Sequence, residues 1–245
     1  MKPAAARRRH RLGLITTAML LLSACGDEGG AGAVSDGLVA HYPLDGNAED
    51  SVGSTAGVIV GAMPVPDRNG VANGAMAFDG DGDYIEFAHT SALDLVDDFT
   101  ISAWIDLEPA TSDTDFYTIF EKSDPDRGGH SRYGVWVQGG HLWGCFEASD
   151  NAQQPCGEST SEVPVNDWHH VAAVRSARRM LLYLDGVEIG NAFVGLEEVS
   201  RTPFNAFIGT DRYEPSPAYL RGAIDDVLVH SRALTPGEIE ALAEP

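Results

Sequence analysis

The chain is short of positive charge. Its 245 residues hold 16 Lys and Arg against 37 Asp and Glu, a formal charge of −21. A surface of that sign repels nucleic acid and anionic lipid headgroups, so neither is an expected partner. Cysteine is scarce too, with only Cys25, Cys145 and Cys156. The sole concentrated apolar run, Leu12 to Leu22, is too short to span a bilayer as a stable helix. No Gly-x-Ser-x-Gly elbow is present, and a triad assembled from scattered Ser, His and Asp has no support. Helical patterning is confined to the tail.

What is present begins with a leader. Arg7, Arg8, Arg9 and Arg11 precede the apolar run, the pattern of an export signal. Leu22-Ser-Ala-Cys25 resembles a bacterial lipobox, which implies cleavage before Cys25 and lipidation of that cysteine; an ordinary secretory signal with a stray cysteine is the alternative. The expected organisation is a signal peptide over 1–24, a lipidated Cys25 with a Gly-rich tether over 25–36, and one domain over 37–245. The expected location is the cell envelope, at the outer membrane or cell surface, held to the membrane only by the lipid anchor. Cleavage removes five basic residues and no acid, leaving 11 bases against 37 acids. Cys145 and Cys156 then form an even pair in an oxidising compartment and predict a disulfide across a hairpin loop.

The domain reads as short strands and turns. Phe99-Thr-Ile-Ser-Ala-Trp-Ile105 alternates strictly, and Leu184-Asp-Gly-Val187 is a tight hairpin turn. Further strands are expected over 38–44, 75–78, 84–87, 118–120, 133–138, 141–147, 169–176, 179–184, 187–191 and 206–209. Glu158-Ser-Thr-Ser-Glu162 reads as a loop. Asp79-Gly-Asp-Gly-Asp83 reads as a turn, since it lacks the downstream Glu of a calcium loop. Thr235-Pro-Gly-Glu238 matches a capping box with Pro at the first helical position. Many short strands at near-regular spacing predict an all-β sandwich. Near its end, Gly222-Ala-Ile-Asp-Asp-Val-Leu-Val229 places acids in an apolar strand, where alternation puts Ala223, Asp225, Val227 and Val229 on one face.

Several pieces together resemble a bacterial laminin-G-like domain of the concanavalin A-like lectin/glucanase superfamily. They are Gly37-Leu-Val-Ala-His-Tyr-Pro-Leu-Asp-Gly46, Asp50-Ser-Val-Gly53, Ala77-Phe-Asp-Gly80, Trp168-His-His-Val-Ala-Ala173, Leu182-Tyr-Leu-Asp-Gly186 and Gly222 to Leu234. The resemblance spans 37–243 and implies a jelly roll of two antiparallel sheets with a short C-terminal helix. Glucanases of this fold carry Glu-x-Asp-x-x-Glu on one strand, and that spacing is absent here, so catalysis is not expected.

The resemblance also implies a structural calcium where the N-terminal acidic loop meets the closing strand. Asp45, Asn47, Asp50, Asp225 and Asp226 match those positions, with Asp225 the more buried acid; the alternative is that they form turns and accept backbone hydrogen bonds. Trp168-His169-His170 is strand rather than metal site, because adjacent side chains on a strand point to opposite faces. A ligand surface is expected on the aromatics displaced from the core face: Trp136, then His141 and Trp143, with Tyr213 and Tyr219 in the loop over 211–219. A sandwich that covers Trp136 and Trp143 with its other sheet is the alternative. The function implied is a non-catalytic recognition module for a glycan or an extracellular or envelope protein. A structural envelope lipoprotein without a small ligand, or a glycan-processing enzyme lacking the usual motif, remain the other readings.

Overall fold

A computed structural model describes residues 34–112, 114–123, 131–148, 154–195, 198–199, 201–212 and 218–244. Two antiparallel sheets lie face to face. The first contains β1 (Leu38–Tyr42), β3 (Met63–Val65), β4 (Ala75–Asp79), β6 (Phe99–Leu107), β11 (His169–Ser176), β12 (Arg179–Leu184), β13 (Val187–Phe193) and β15 (Arg221–His230). The second contains β2 (Val58–Val60), β5 (Tyr84–Phe87), β7 (Phe116–Ser123), β8 (Ser131–Gln138), β9 (His141–Phe146), β10 (Cys156–Glu162) and β14 (Ala206–Ile208). The first sheet runs β13-β12-β11-β6-β15-β4-β3 with β1 also on β15; the second runs β10-β9-β8-β7-β14-β5-β2. The expected jelly-roll sandwich is the fold.

Alternation decides what the sheets enclose. Ile101, Ala103 and Ile105 of β6 face Val135 and Val137 of β8 across one core, which Tyr42, Phe87, Phe99, Phe120 and Phe146 fill. Tyr42 packs on Phe87 with ring centroids 4.0 Å apart. A second, smaller cluster lies outside the first sheet, where Ile239 of the helix α1 (Pro236–Leu242) covers Ala172, Val174 and Tyr183. The predicted capping box is formed: Thr235 Oγ1 accepts from Glu238 N–H, and Glu238 accepts from Thr235 N–H. In the 184–187 turn Asp185 is at φ 49° and Gly186 at φ 79°. Positive φ at both central residues is what a primed two-residue hairpin requires.

Two sequence expectations fail. Residues 158–162 belong to β10, an edge strand of the second sheet, and not to a loop. Its pairing comes from its neighbour: Cys156 lies opposite Cys145, Glu158 opposite Trp143, and the predicted Cys145–Cys156 disulfide crosses between the strands. A loop of this size contributes about 3 kcal/mol in the chain-entropy account. Residues 149–153 within that loop lie outside the described residues.

The second failure concerns the closing strand. Asp225 pairs with Trp104 but Leu228 pairs with Ser102, so β15 holds one residue more than β6 over this stretch. The surplus residue makes a β-bulge. Asp226 within it stands at φ 49°. The extra residue breaks the two-residue period. Ile224, Val227 and Val229 therefore share the core side, and Asp225 does not share a face with the two valines. Elsewhere on β15 the left-handed φ falls on a glycine, Gly222 at 142°.

Candidate functional site

The bulge creates the first constellation. The loop between β3 and β4 turns on Asp67, whose Oδ1 accepts from the N–H groups of Asn69 and Val71. This turn aims Arg68 at the outer face of the first sheet. Arg68 Nη1 donates to Asp225 Oδ2 at 2.5 Å, and Nη2 donates to Asp226 Oδ2 at 2.9 Å. The guanidinium carbon sits 4.6 Å from the Trp104 ring centroid. That is a cation–π distance. Asp226 Oδ1 meets His41 Nε2 at 3.0 Å, and His41 Nδ1 meets Ser51 Oγ at 2.9 Å. The chain from Arg68 through Asp226 to His41 thus runs from the closing strand to the acidic loop.

These contacts show whether the expected ligands suit calcium. Asp50 Oδ1 already accepts from the N–H groups of His41, Val52 and Gly53. Asn47 closes its own turn, donating to Asp45 O and accepting from Glu49 N–H. Asp225 and Asp226 each give an oxygen to Arg68. Among the described residues, no three His, Cys, Asp or Glu side chains lie close enough to hold one metal ion. The acidic loop and the closing strand do meet as expected. Asp45, Asn47, Asp50, Asp225 and Asp226 nonetheless do not form one donor set, and they do not fit a calcium ion. Arg68 is the residue that sequence reasoning missed; its only signal was a lone base in a turn of an acidic chain.

Burial acts on the acids and on the adjacent histidine. It pushes the Asp225 carboxyl up to about 7, aided by the Asp226 charge and opposed by Arg68. A carboxylate taken out of water favours its neutral form. Burial would raise Asp226 too, but hydrogen bonds from His41 and Arg68 outweigh it and hold that carboxyl below its usual range. His170 packs edge-on against Trp104 with centroids 5.5 Å apart, and neither ring nitrogen has a hydrogen-bond partner among the described residues. Burial lowers His170 from 6.5 to about 4; Asp185 opposes the shift and Arg68 assists it. A histidine held neutral in the fold binds fewer protons than the unfolded chain below pH 6.5, so stability falls as pH drops from there toward 4. Full expression of the shift is worth about 3 kcal/mol. The raised Asp225 carboxyl works in the opposite sense over the same window, so the test is the wild type minus His170→Leu. That difference in urea-unfolding free energy should be smaller at pH 5 than at pH 7.5, and an equal difference at the two pH values would contradict this assignment.

The second constellation is aromatic and lies on the outer face of the second sheet. Val135 and Val137 point into the core, so Trp136 points out, and its cross-strand partner is Trp143. Thr118 lies opposite Trp136 on the other side, and Glu158 opposite Trp143. Thr118, Trp136, Trp143 and Glu158 thus form one row across β7, β8, β9 and β10. Phe116 lies against Trp136, with centroids 4.9 Å apart. Trp136 is buried while Trp143 remains partly open. Three polar atoms in this row, both indole Nε1 atoms and Thr118 Oγ1, are occluded without a hydrogen-bond partner among the described residues. An unmade bond of this kind costs about 1–3 kcal/mol each.

Beside Phe116 opens a cleft of 210 Å³, lined among others by Thr111, Asp115, Tyr117, Tyr219 and Arg221. Tyr117 Oη is occluded there with no partner among the described residues. Burial works to raise the Asp115 carboxyl, but bonds from Thr111 N–H, Thr111 Oγ1 and Ser112 N–H outweigh it and hold it low. Of the expected ligand residues, Trp136 touches Phe116, Tyr219 lines the cleft beside it, and Trp143 pairs with Trp136 one strand further on. His141 stands at the strand end, its Nδ1 2.9 Å from Ser159 O. Tyr213 lies outside the described residues. Neither tryptophan is covered by the opposite sheet.

Two facing antiparallel sheets with this strand order define a jelly roll. The chain belongs to the concanavalin A-like lectin/glucanases superfamily, whose laminin-G-type family model matches residues 79–240. No curated protein matches the chain. Among solved structures it is similar to the binding domain of Paraclostridial Mosquitocidal Protein 1, at 17% identity and a TM-score of 0.67, covering 86% of this chain and 52% of that one. The binding domain of botulinum neurotoxin DC in complex with rat synaptotagmin II gives 14%, 0.66, 86% and 52% on the same measures. Domain 4 of AbnA, a GH43 extracellular arabinanase from Geobacillus stearothermophilus, in complex with arabinotriose, gives 19%, 0.60, 84% and 98%. The chain spans about half the length of the toxin binding domains and nearly all of the arabinanase domain. At these identities the likeness is one of fold.

Proposed function

We propose that this protein is a non-catalytic recognition module of the cell envelope that binds a glycan on the outer face of β7 to β10. The observation that carries this reading is the row Thr118, Trp136 and Trp143, with three occluded polar atoms that have no partner among the described residues, beside a partly open indole. A sugar is suited to both needs. Its C–H face stacks on Trp143, and its hydroxyls accept from indole N–H groups once side chains shift to admit them. The polar cleft with Asp115, Tyr219 and Arg221 would take the next part of the same ligand. Similarity in fold to an arabinanase domain solved with arabinotriose supports a carbohydrate, as similarity to a toxin binding domain solved with rat synaptotagmin II supports a protein partner. Export and a lipid anchor at Cys25 belong to the proposal; they concern residues outside those described.

Screening the protein on a glycan array tests it. Binding should be found, and Trp143→Ala should weaken it about tenfold, equivalent to roughly 1.4 kcal/mol of lost stacking, with the melting temperature little changed. Silence across the array, or binding that Trp143→Ala leaves intact, would defeat the assignment.

A further inference from the structure

We propose that Arg68 is the resident cation of this domain, occupying with a side chain the charge-balancing place that the family resemblance gives to calcium. Three observations support it, none of them drawn from the glycan face. First, the guanidinium fork reaches two different carboxylates at once, Asp225 Oδ2 at 2.5 Å and Asp226 Oδ2 at 2.9 Å. A planar fork with several fixed donors suits that task, whereas an ammonium offers one point charge. Second, Arg68 is enclosed. Its side chain is 17% exposed, Asp225 is 4% exposed, and Trp104 stacks on the guanidinium. Third, the bulge at Asp226 turns two consecutive acids toward the same cation, which an unbroken strand would not do.

Two further oxygens of the expected set are already committed. Asp226 Oδ1 meets His41 Nε2, and Asp50 Oδ1 takes three backbone N–H groups. The link between the acidic loop and the closing strand is thus complete in protein atoms. A divalent ion would have to displace Arg68 and leave a guanidinium largely shut away from water, which is strongly unfavourable. The domain therefore folds without calcium, and an arginine from the loop between β3 and β4 holds the acidic loop to the closing strand through Asp226 and His41.

Thermal melting of the protein in excess chelator and in millimolar calcium chloride tests this directly. The wild-type midpoint should be the same in both. A bound ion stabilises the native state by mass action, so a clear rise with calcium would overturn the proposal. Arg68→Ala leaves two facing carboxylates without their cation, and its midpoint in chelator should fall by about 10 °C. Arg68→Lys keeps one charge but loses the fork and should fall between the two. An Arg68→Ala midpoint equal to wild type in chelator would also overturn it. Should the alanine variant fail to fold, the wild-type comparison and the lysine variant still decide.

Discussion

Gly222→Val is expected to abolish the cooperative unfolding transition. Gly222 has φ 142°, and a Cβ there would lie 2.3 Å from Asp106 O and 2.9 Å from Leu107 Cα. Both obstacles are backbone atoms of β6, which pairs with β15 at the middle of the first sheet. Backbone in a central ladder cannot swing aside as a side-chain tip can, so the sheet itself must open. The disfavoured φ adds about 1–3 kcal/mol more. The combined loss exceeds the roughly 4–5 kcal/mol that marks exceptional substitutions and is comparable to the whole stability of many domains. A control separates φ from collision. Gly70 is at φ 76° with nothing within 4 Å of an added Cβ. Gly70→Ala should therefore lose only about 1 kcal/mol. Circular dichroism melts of both variants give the comparison, and a Gly222→Val protein melting near wild type would refute the collision argument.

Lys122→Ala should be nearly as damaging, at about 3–5 kcal/mol. Lys122 on β7 is only 2% exposed, and its Nζ donates to Asp94 Oδ1 at 2.5 Å and to Leu93 O at 3.3 Å. Tyr133 Oη donates to the same Leu93 oxygen at 2.8 Å. Together they pin the short 3-10 turn Ser91–Leu93 against the second sheet, with Leu93 itself in the core. Burial pulls the ammonium below its ordinary value while Asp94 works the other way, the mark of a charge retained by its partner. Alanine removes the cation, strands Asp94 and leaves a void along the lysine stem. Lys122→Met fills that stem space without the charge. It should lose about half as much in urea unfolding, and equal losses in the two variants would place the whole effect on the ion pair.

How legible all this was in the sequence varies with the range of the forces involved. Phe99 to Ile105 and Tyr133 to Gln138 could be read because alternation is local, and the same parity puts Trp136 outside the core. Thr235 to Glu238 was legible because its bonds close within four residues. Val58–Val60 and Met63–Val65 were missed: three-residue edge strands take their geometry from β5 and β4. Glu158 to Glu162 reads as a loop because its polarity suits an edge, and its strand geometry comes from its partner β9. The bulge at Asp226 evaded parity because it changes parity. Arg68 was invisible as a site residue, since its two partners stand 157 and 158 residues away.

The way β1 enters the domain has a mechanical consequence. Val34 O accepts from His230 Nε2, Asp36 O accepts from Arg232 Nε, and Gly37 O accepts from Ser231 N–H, before β1 pairs with β15 from Leu38 to Tyr42. A pull applied to residue 34 is shared at once among these bonds and the ladder behind them, all within the first sheet. Trp143 lies on the outer face of the second sheet, on the far side of the core. Traction on the chain's leading end and grip at the aromatic face are thus borne by separate layers, and load passes between them through packed side chains and the loops that cross from one sheet to the other.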